Sequence, residues 1–455
     1  MSERSTITRH ALTVLAGQLA VMAFGVADTI VAGRHSADSL AALSVASAIF
    51  ISVYVALMGM LQAMLPMWAE QRGAGQHAAM GHSLRQALYV CLIASVVGIT
   101  ALLSPGPLLR WTEVPPALQV EVTAYLAVLA LALLPALLFR VYSTLNQALG
   151  RPQLVMWLQV GSLFVKVPLS IWFTFGGGGL PAQGVVGCAW ATLVVNCTML
   201  ALAVWLLRTQ DIYAPLHIWK RVEPPHGPTL TRLCRLGLPA GLAVMVEVTS
   251  FTLMALFVAR QGTTAAATHQ IAANVAALLY MVPLSLAIAT SARVSYWLGA
   301  RQPGRARHAV LTGFRLAALM GITLSAIIFI AKDQIGAIYS GNAAVVAMTG
   351  AVLAWVAVYH AFDAFQTLSV FVLRCYGITV APLAVYCLLL WGAGLGGGYV
   401  LAYGGWGPWA SQAHTAAATP TPFWAASAAA LGVTAVLFVL MLRRALTRQK
   451  ALLSP

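Results

Sequence analysis

The chain has 455 residues, of which 60% are hydrophobic and 8% are charged, and its formal net charge at pH 7 is +15. Because soluble domains carry about 25% charged residues, this composition excludes an ordinary water-soluble protein. The apolar runs are long and continuous, unlike the alternating segments of about 10 residues that form membrane β-barrels. The composition therefore predicts an all-α, polytopic membrane protein.

Hydrophobic segments follow one another along the whole chain, each close to the length of about 20 residues that a bilayer-spanning helix needs. The first segment contains Asp28 and is too long for the core of a signal peptide, so we predict that it is a retained helix. The sequence predicts twelve transmembrane spans, at residues 11–33, 40–68, 84–109, 120–147, 154–176, 183–207, 237–259, 265–298, 309–331, 345–373, 380–403 and 422–442.

Basic residues indicate how these spans are oriented. With the N-terminus in the cytoplasm, the external segments hold Arg34, Arg110, Arg260 and Lys332, and Lys166 lies within a span. The others of the 26 Lys and Arg residues fall on the cytoplasmic side, as the positive-inside rule requires. The basicity is therefore a sign of topology, and we expect no nucleic-acid partner. We predict a multi-pass protein of the cell inner membrane with both termini in the cytoplasm.

A polar stretch at residues 208–234, rich in proline and in charges of both signs, separates six spans from six. We therefore predict an N-terminal six-helix lobe at residues 1–207, a cytoplasmic linker at 208–234 and a C-terminal six-helix lobe at 235–455. The tetrapeptide LAVM occurs in both lobes, at residues 19–22 and 242–245. Two pseudo-symmetric bundles of the same orientation form a parallel repeat, which transporters use to build a site between the halves.

Three carboxylates lie inside predicted spans, namely Asp28, Glu247 and Asp363, whereas the others of the 11 Asp and Glu residues fall at span ends, in loops or in the tail. An acid within a bilayer faces a cavity or a partner, because exposure to lipid is costly. Each acid could instead be an internal hydrogen-bond anchor or half of an ion pair, but Lys166 can neutralise at most one of them closely. The sequence therefore favours a water-accessible pocket where carboxylates exchange a proton or a small cation.

Four segments, in order along nearly the whole chain, resemble the multidrug and toxic compound extrusion (MATE) family, specifically its NorM-like branch. They resemble that branch's first helix, sixth helix, central segment and tenth helix, and they lie at Gly25–Ala46, Gly184–Thr192, Pro239–Gly299 and Phe362–Gly377.

The resemblance implies cation-coupled efflux of organic cations through two six-helix lobes around a central cavity. By position, Asp28, Glu247 and Asp363 match the family's first-helix aspartate, seventh-helix glutamate and tenth-helix aspartate, which bind coupling ions or cationic substrate. Glu247 and Asp363 could hold Na⁺. Since the sequence contains no P-loop motif for using ATP, we expect coupling to a gradient of H⁺ or Na⁺, with no cofactor.

Two features depart from the branch's pattern. Lys166 stands where the branch more often has asparagine, and Ser170 replaces a second asparagine in the same run. Lys166 could pair with Asp28 and weaken its role in cation exchange, or shift the preference toward zwitterionic or anionic substrates; alternatively, it could snorkel or be kept neutral by burial. The other departure is the outer loop Gly404–Pro422, which is longer than the branch's and which we predict to be a mobile surface loop rather than a lid.

Further residues are candidates for a substrate cavity. His360 lies three positions before Asp363 and so shares its helical face; the two could form a proton relay or an incomplete metal pair, but we favour a hydrogen-bonded histidine lining the cavity. His269 and Gln270 could face substrate or pack between helices. The candidates are Lys166, His360, His269, Gln270, Tyr280 and Phe362. Other aromatic and methionine residues could add an adaptable apolar wall, namely Met245, Phe251, Met254, Met281, Tyr359 and Phe365.

The sequence thus predicts a secondary antiporter, and not an enzyme, that acts as a monomer in the lipid bilayer. Its expected substrates are small amphipathic, mainly cationic compounds, exported in exchange for H⁺ or Na⁺. One alternative is a lipid-linked oligosaccharide flippase of a related superfamily, which would need a cationic cavity for a pyrophosphate. A second is a membrane-embedded enzyme, which would need a metal cluster or a nucleophile–base pair that the sequence does not supply.

Overall fold

The structure is a computed structural model that describes residues 2–111, 115–221, 223–404 and 418–451. Within these ranges it contains 12 helical segments that are long and apolar enough to cross a membrane, which confirms the predicted all-α fold with its twelve spans. Large apolar side chains are exposed on these segments, as contact with lipid requires; Phe164 is 75% exposed, Ile330 76% and Ile338 81%.

Helices α1 to α8 form the first six spans. Ser36 begins α2 by accepting a hydrogen bond from the backbone N–H of Ser39 at 3.0 Å, and proline occupies the first turn of α3, α6 and α7, where its missing N–H costs nothing. The second span is divided between α2 and α3. The bounds are α1 Glu3–His35, α2 Ala37–Gln62, α3 Leu65–Gly73, α4 His77–Leu103, α5 Gly106–Trp111, α6 Pro116–Ala148, α7 Pro152–Phe175 and α8 Val185–Thr209.

Helices α9 to α15 form the other six spans. Asn342 caps α12 by accepting from the backbone N–H of Ala344 at 2.9 Å. The eleventh span, predicted as one continuous run, contains a π-helix at Cys387–Gly396 between α13 and α14. Residues 405–417 of the predicted mobile loop lie outside the described residues, so its character stays a prediction. The bounds are α9 Gly227–Ala259, α10 Thr263–Gly299, α11 Pro303–Tyr339, α12 Ala343–Cys375, α13 Val380–Tyr386, α14 Gly397–Tyr403 and α15 Thr421–Ala451.

Contacts divide the chain into two compact units. The first unit comprises residues 13–241, and in it α6 packs against α2, α4 and α8. The second unit comprises residues 242–455 together with the first twelve residues, and in it α12 packs against α10, α11 and α15. The linker therefore groups with the first unit, while the predicted lobe boundaries stay a prediction of the sequence.

The linker is fastened to α4 through Glu223. Arg85 donates a hydrogen bond to one carboxylate oxygen of Glu223 at 2.6 Å, and the imidazole of His82 contacts the other oxygen. Tyr89 donates to the backbone carbonyl of Glu223 at 3.0 Å, and the amide of Gln86 donates to the carbonyl of the following proline at 3.0 Å. Successive turns of α4 therefore hold this part of the linker against the first unit.

Candidate functional site

An ion pair joins Asp28 of α1 to Lys166 of α7 in the first unit. The Nζ atom of Lys166 lies 2.8 Å from Oδ1 of Asp28, and Ser170, one turn further along α7, donates a hydrogen bond to the same oxygen at 2.9 Å. Both charged side chains are buried, with Lys166 1% and Asp28 6% exposed. Of the alternatives that the sequence leaves open for Lys166, the structure therefore shows pairing with Asp28 rather than snorkelling to the membrane surface.

Helix α8 supplies the other partners of Lys166. The Nζ atom of Lys166 donates to the backbone carbonyl of Cys188 at 2.9 Å and to Oγ1 of Thr192 at 2.8 Å. A protonated lysine has three N–H donors and no acceptor, so Asp28, Cys188 and Thr192 together use all of them. The ammonium is fully solvated by the protein.

Gly187 explains how α8 comes close enough to α7 to make these contacts. A Cβ atom at Gly187 would lie 2.5 Å from the backbone carbonyl carbon of Phe173 and 2.5 Å from the backbone nitrogen of Thr174, which is closer than real side chains approach. The absent side chain therefore lets the two helices meet where the Cys188 carbonyl must face Lys166.

Glu247 of α9 lies in the second unit, half-buried, at the wall of an open cleft. The volume of about 310 Å³ that its walls outline includes open solvent at the mouth. Glu247 is the carboxylic-acid member of an otherwise aromatic, aliphatic and hydroxyl-bearing wall. We call this space the Glu247 cleft; it is lined by Glu247, Ser250, Phe251, Met254, Tyr359, Leu390, Leu395 and Ser427.

Asp363 of α12 is buried and heads a hydrogen-bonded network in the same unit. Its Oδ1 atom accepts from the side-chain amide of Gln366 at 2.8 Å and from the hydroxyl of Thr367 at 3.2 Å. The phenol of Tyr386 in turn donates to the side-chain oxygen of Gln366, which fixes the direction of that amide. Donors from one turn of α12 therefore stabilise the negative charge of Asp363.

The faces of α9 and α12 that carry the two acids meet through aromatic rings. Tyr359 lies one turn before Asp363, and it lines the Glu247 cleft. Phe251 lies one turn after Glu247, and its ring packs edge-on against that of Tyr359 with centroids 6.0 Å apart. Since residues four apart share a helical face, Glu247 and Asp363 belong to neighbouring parts of one cluster.

The remaining cavity candidates lie elsewhere. Nε2 of His360 and Nδ1 of His269 are buried without a hydrogen-bond partner among the described residues, and the role of each histidine stays a prediction. Gln270 is exposed and bonds Asn274 at 3.4 Å. Tyr280 is half-buried, and Phe362 is 37% exposed. Neither lines the Glu247 cleft.

Phe251, Met254 and Tyr359, three of the residues predicted to form an adaptable apolar wall, line this cleft, and Ser250 could have been found with them from helical spacing. Ser250, Phe251 and Met254 follow Glu247 at three, four and seven positions, which is the spacing of one helical face. Leu390 and Leu395 could not be assigned to the cleft from their spacing, because they lie in the π-helix and their orientation depends on its altered hydrogen bonding. Within the described residues, no group of three or more His, Cys, Asp and Glu side chains could hold a metal.

Comparisons with known proteins place this architecture in a family. The sequence matches the MatE family over residues 14–172 and 239–400. It is 36% identical over 439 residues to the probable multidrug resistance protein NorM of Aromatoleum aromaticum, covering 96% of this chain and 94% of that protein. It is 32% identical over 406 residues to the multidrug resistance protein PmpM of Pseudomonas aeruginosa, covering 89% and 85%.

The fold agrees with this relationship. The crystal structure of the eukaryotic MATE transporter AtDTX14 superimposes with a TM-score of 0.86 over 98% of both chains, at 20% sequence identity. The family match covers most of the chain, and its two segments lie on either side of the linker. The chain therefore belongs to the multidrug and toxic compound extrusion family, as the family match and the relatives of the NorM-like branch show.

Proposed function

We propose that the protein exports amphipathic, mainly cationic drugs as a secondary antiporter, in exchange for H⁺ or Na⁺. Its relatives NorM and PmpM are named as multidrug resistance proteins, and the chain is a multidrug efflux transporter by that relationship. The observation that carries the coupling mechanism is the position of Glu247, a carboxylate within a transmembrane helix that opens into a cleft walled by Phe251, Tyr359 and Met254.

The Glu247 cleft suits a drug cation chemically. Aromatic faces attract cations when they lie within about 6 Å of the charge, and the methionine side chain adapts its shape to different apolar groups. Glu247 supplies the counter-charge, while Ser250 and Ser427 supply hydroxyl oxygens on the same wall. A single carboxylate stabilises one positive charge at a time in such a setting, so drug and coupling ion compete for it.

This competition provides the exchange. We propose that H⁺ or Na⁺ arriving from outside occupies Glu247 and Asp363 and thereby displaces the drug, and that a drug cation from the cytoplasm displaces the ion in turn. Na⁺ prefers oxygen ligands, as hard cations do, and the two carboxylates with the hydroxyls of the cleft are the groups we expect to hold it. Proton binding at Asp363 would instead reorganise the Gln366–Tyr386 network.

The membrane gradient supplies the work. Moving one elementary charge across the membrane is worth about 2.3 kcal/mol per 100 mV, so one or two coupled cations suffice for useful drug gradients. We propose that the protein works as a monomer in the inner membrane with both termini in the cytoplasm, which the distribution of Lys and Arg supports. Asp28, the third acid that the family resemblance implicates, is already paired with Lys166.

The flippase alternative is not favoured. A pyrophosphate needs cationic groups, but the charge of Lys166 is already neutralised by Asp28, and the charged group in the Glu247 cleft is an acid. The enzyme alternative is likewise weaker, since the family is one of transporters.

Efflux of a fluorescent organic cation from proteoliposomes, under an imposed H⁺ or Na⁺ gradient, tests the proposal. Wild-type protein should respond to one of the two gradients, and Glu247→Gln should lose that response while remaining folded. The matched control is Asp38→Asn, which removes an exposed acid from the first turn of α2 and should transport normally. Gradient-driven efflux at the wild-type rate by Glu247→Gln would contradict the mechanism.

A further inference from the structure

We propose that Lys166 is a built-in counter-cation that occupies Asp28 throughout the transport cycle, so that the acid of the first unit exchanges no ion and coupling runs through Glu247 and Asp363 alone. This inference rests on the antiport function proposed above. By pairing with Asp28, Lys166 determines which of the three acids bind the coupling ion.

The contacts of Lys166 show that it is held in place from three sides. Its ammonium donates to Asp28 at 2.8 Å, to the Cys188 carbonyl at 2.9 Å and to the Thr192 hydroxyl at 2.8 Å. The Asp28 oxygen that faces it also accepts from Ser170. No donor of the ammonium remains for a carboxylate or phosphate of a substrate, so Lys166 does not recruit anionic groups either.

A mobile cation cannot readily replace this tethered one. The lysine is held in the same bundle as Asp28, so the pair forms without the loss of translational and rotational entropy that binding of a dissolved H⁺ or Na⁺ entails. Protonation of Asp28, or binding of Na⁺ to it, would leave a buried ammonium without its counter-charge, which is strongly unfavourable. Asp28 can therefore take up H⁺ or Na⁺ only if Lys166 loses its charge at the same time.

Because the two charges are paired, a transport assay on a variant that lacks only one of them says little about ion coupling. Asp28→Asn leaves a buried positive charge, and its loss of transport would follow from damage to the fold. The informative variant is the double replacement Asp28→Asn with Lys166→Met, which removes both charges at similar volume. A second variant, Lys166→Asn, does the opposite and frees Asp28 from its counter-cation.

The first measurement is coupled efflux of tetraphenylphosphonium, a permanent cation that does not titrate, from proteoliposomes. The double variant should keep gradient-driven efflux, with the same number of coupled cations per drug as wild type. Loss of coupling in a folded double variant would overturn the inference. If wild-type protein itself shows no gradient-driven efflux, the proposed function fails, and the second measurement below still decides the role of Lys166.

The second measurement is labelling by a hydrophobic carbodiimide, which reacts with protonated carboxyls, followed by mass spectrometry of the peptides. Asp28 should stay unlabelled in wild type and become labelled in Lys166→Asn by about tenfold or more at the same pH. An adduct at Asp28 in wild type, or an internal amide to Lys166, would show that the carboxyl is activated and exchangeable and would overturn the inference. If Lys166→Asn does not fold, the wild-type labelling and the double variant decide.

Discussion

Glu3 and Arg293 form a two-point ion pair across 290 positions of the sequence. Nε of Arg293 lies 2.5 Å from Oε1 of Glu3 and its Nη2 lies 3.0 Å from Oε2, while the indole N–H of Trp297 donates to Oε1 at 3.1 Å. The guanidinium also stacks over the Trp297 ring at 4.5 Å. These contacts explain why the first residues of α1 group with the second unit.

Glu3→Gln should therefore lower the free energy of unfolding by about 1–2 kcal/mol, because it removes a charge from three converging donors. Glu70→Gln is the matched control, since its pair with Arg232 is a single, exposed contact at 3.1 Å, which we expect to contribute less than about 0.5 kcal/mol. Thermal unfolding in detergent measures both variants. Equal shifts would show that the Glu3 cluster is no stronger than a surface pair.

Removing one charge of the Asp28–Lys166 pair should be much worse than removing both. Asp28→Asn leaves a buried ammonium without its counter-charge and should cost about 3–5 kcal/mol, whereas the double replacement of Asp28 by Asn and Lys166 by Met should come close to wild type. Unfolding of the single and double variants gives the coupling energy as a double-mutant cycle. Additive losses would mean that the two charges do not stabilise each other.

Docking of the linker should depend on the charge of Glu223. The hydrogen bond from Arg85, and after it that from His82, lower the pKa of Glu223 from its ordinary value of 4.5. A lowered pKa means that the stabilisation by this carboxylate is present above the ordinary value and is lost as the pH falls through the lowered one. In the Glu223→Gln variant, the backbone amides of the linker should accordingly exchange with deuterium faster than in wild type at pH 7. The difference should disappear in strong acid, where Glu223 of the wild type is protonated.

Asp211→Asn, which changes an exposed acid of the same linker, provides the control for that comparison and should exchange like wild type at every pH. A difference between Glu223→Gln and wild type that persists unchanged in strong acid would rule out the carboxylate as the docking group.

Phe251 should contribute to drug affinity through its position in the Glu247 cleft. Phe251→Ala removes an aromatic face beside the carboxylate, and we expect about tenfold weaker binding of a hydrophobic cation, which corresponds to about 1.4 kcal/mol. Phe164→Ala is the control, since Phe164 is 75% exposed on a transmembrane helix and should leave affinity unchanged. Affinity can be measured by fluorescence titration in detergent; equal effects in both variants would argue against substrate binding in the cleft.

Much of the architecture could be predicted from the sequence, because continuous hydrophobic runs and the distribution of Lys and Arg are local properties. Asp28, Glu247 and Asp363 could be singled out for the same reason, since a charge within an apolar run is visible without a structure. The partners of Lys166 on α8 could not be predicted, because they depend on how closely Gly187 lets two helices approach. The contact between Arg85 and Glu223 likewise could not be predicted, because the two residues are 138 positions apart in the sequence.

His360 illustrates the limit of helical spacing. A separation of three residues places His360 about 60° around α12 from Asp363, whereas Tyr359, four residues away, lies about 40° from it. Tyr359 accordingly lies in the wall of the Glu247 cleft, whereas the Nε2 atom of His360 is buried and has no hydrogen-bond partner in the part of the chain that the structure describes. The π-helix also could not be predicted from helical spacing, because a run of apolar residues does not show whether its hydrogen bonds follow the α or the π pattern.

That π-helix affects how the transporter can change over evolution. Leu390 and Leu395 belong both to the π-helix and to the wall of the Glu247 cleft, and a π-turn differs from an α-turn by one additional residue. Deletion of one residue there would convert part of the segment to ordinary α-helix and rotate the wall, instead of interrupting the span. A one-residue deletion is therefore a route by which the lining of the proposed drug-binding cleft can change while the span stays helical.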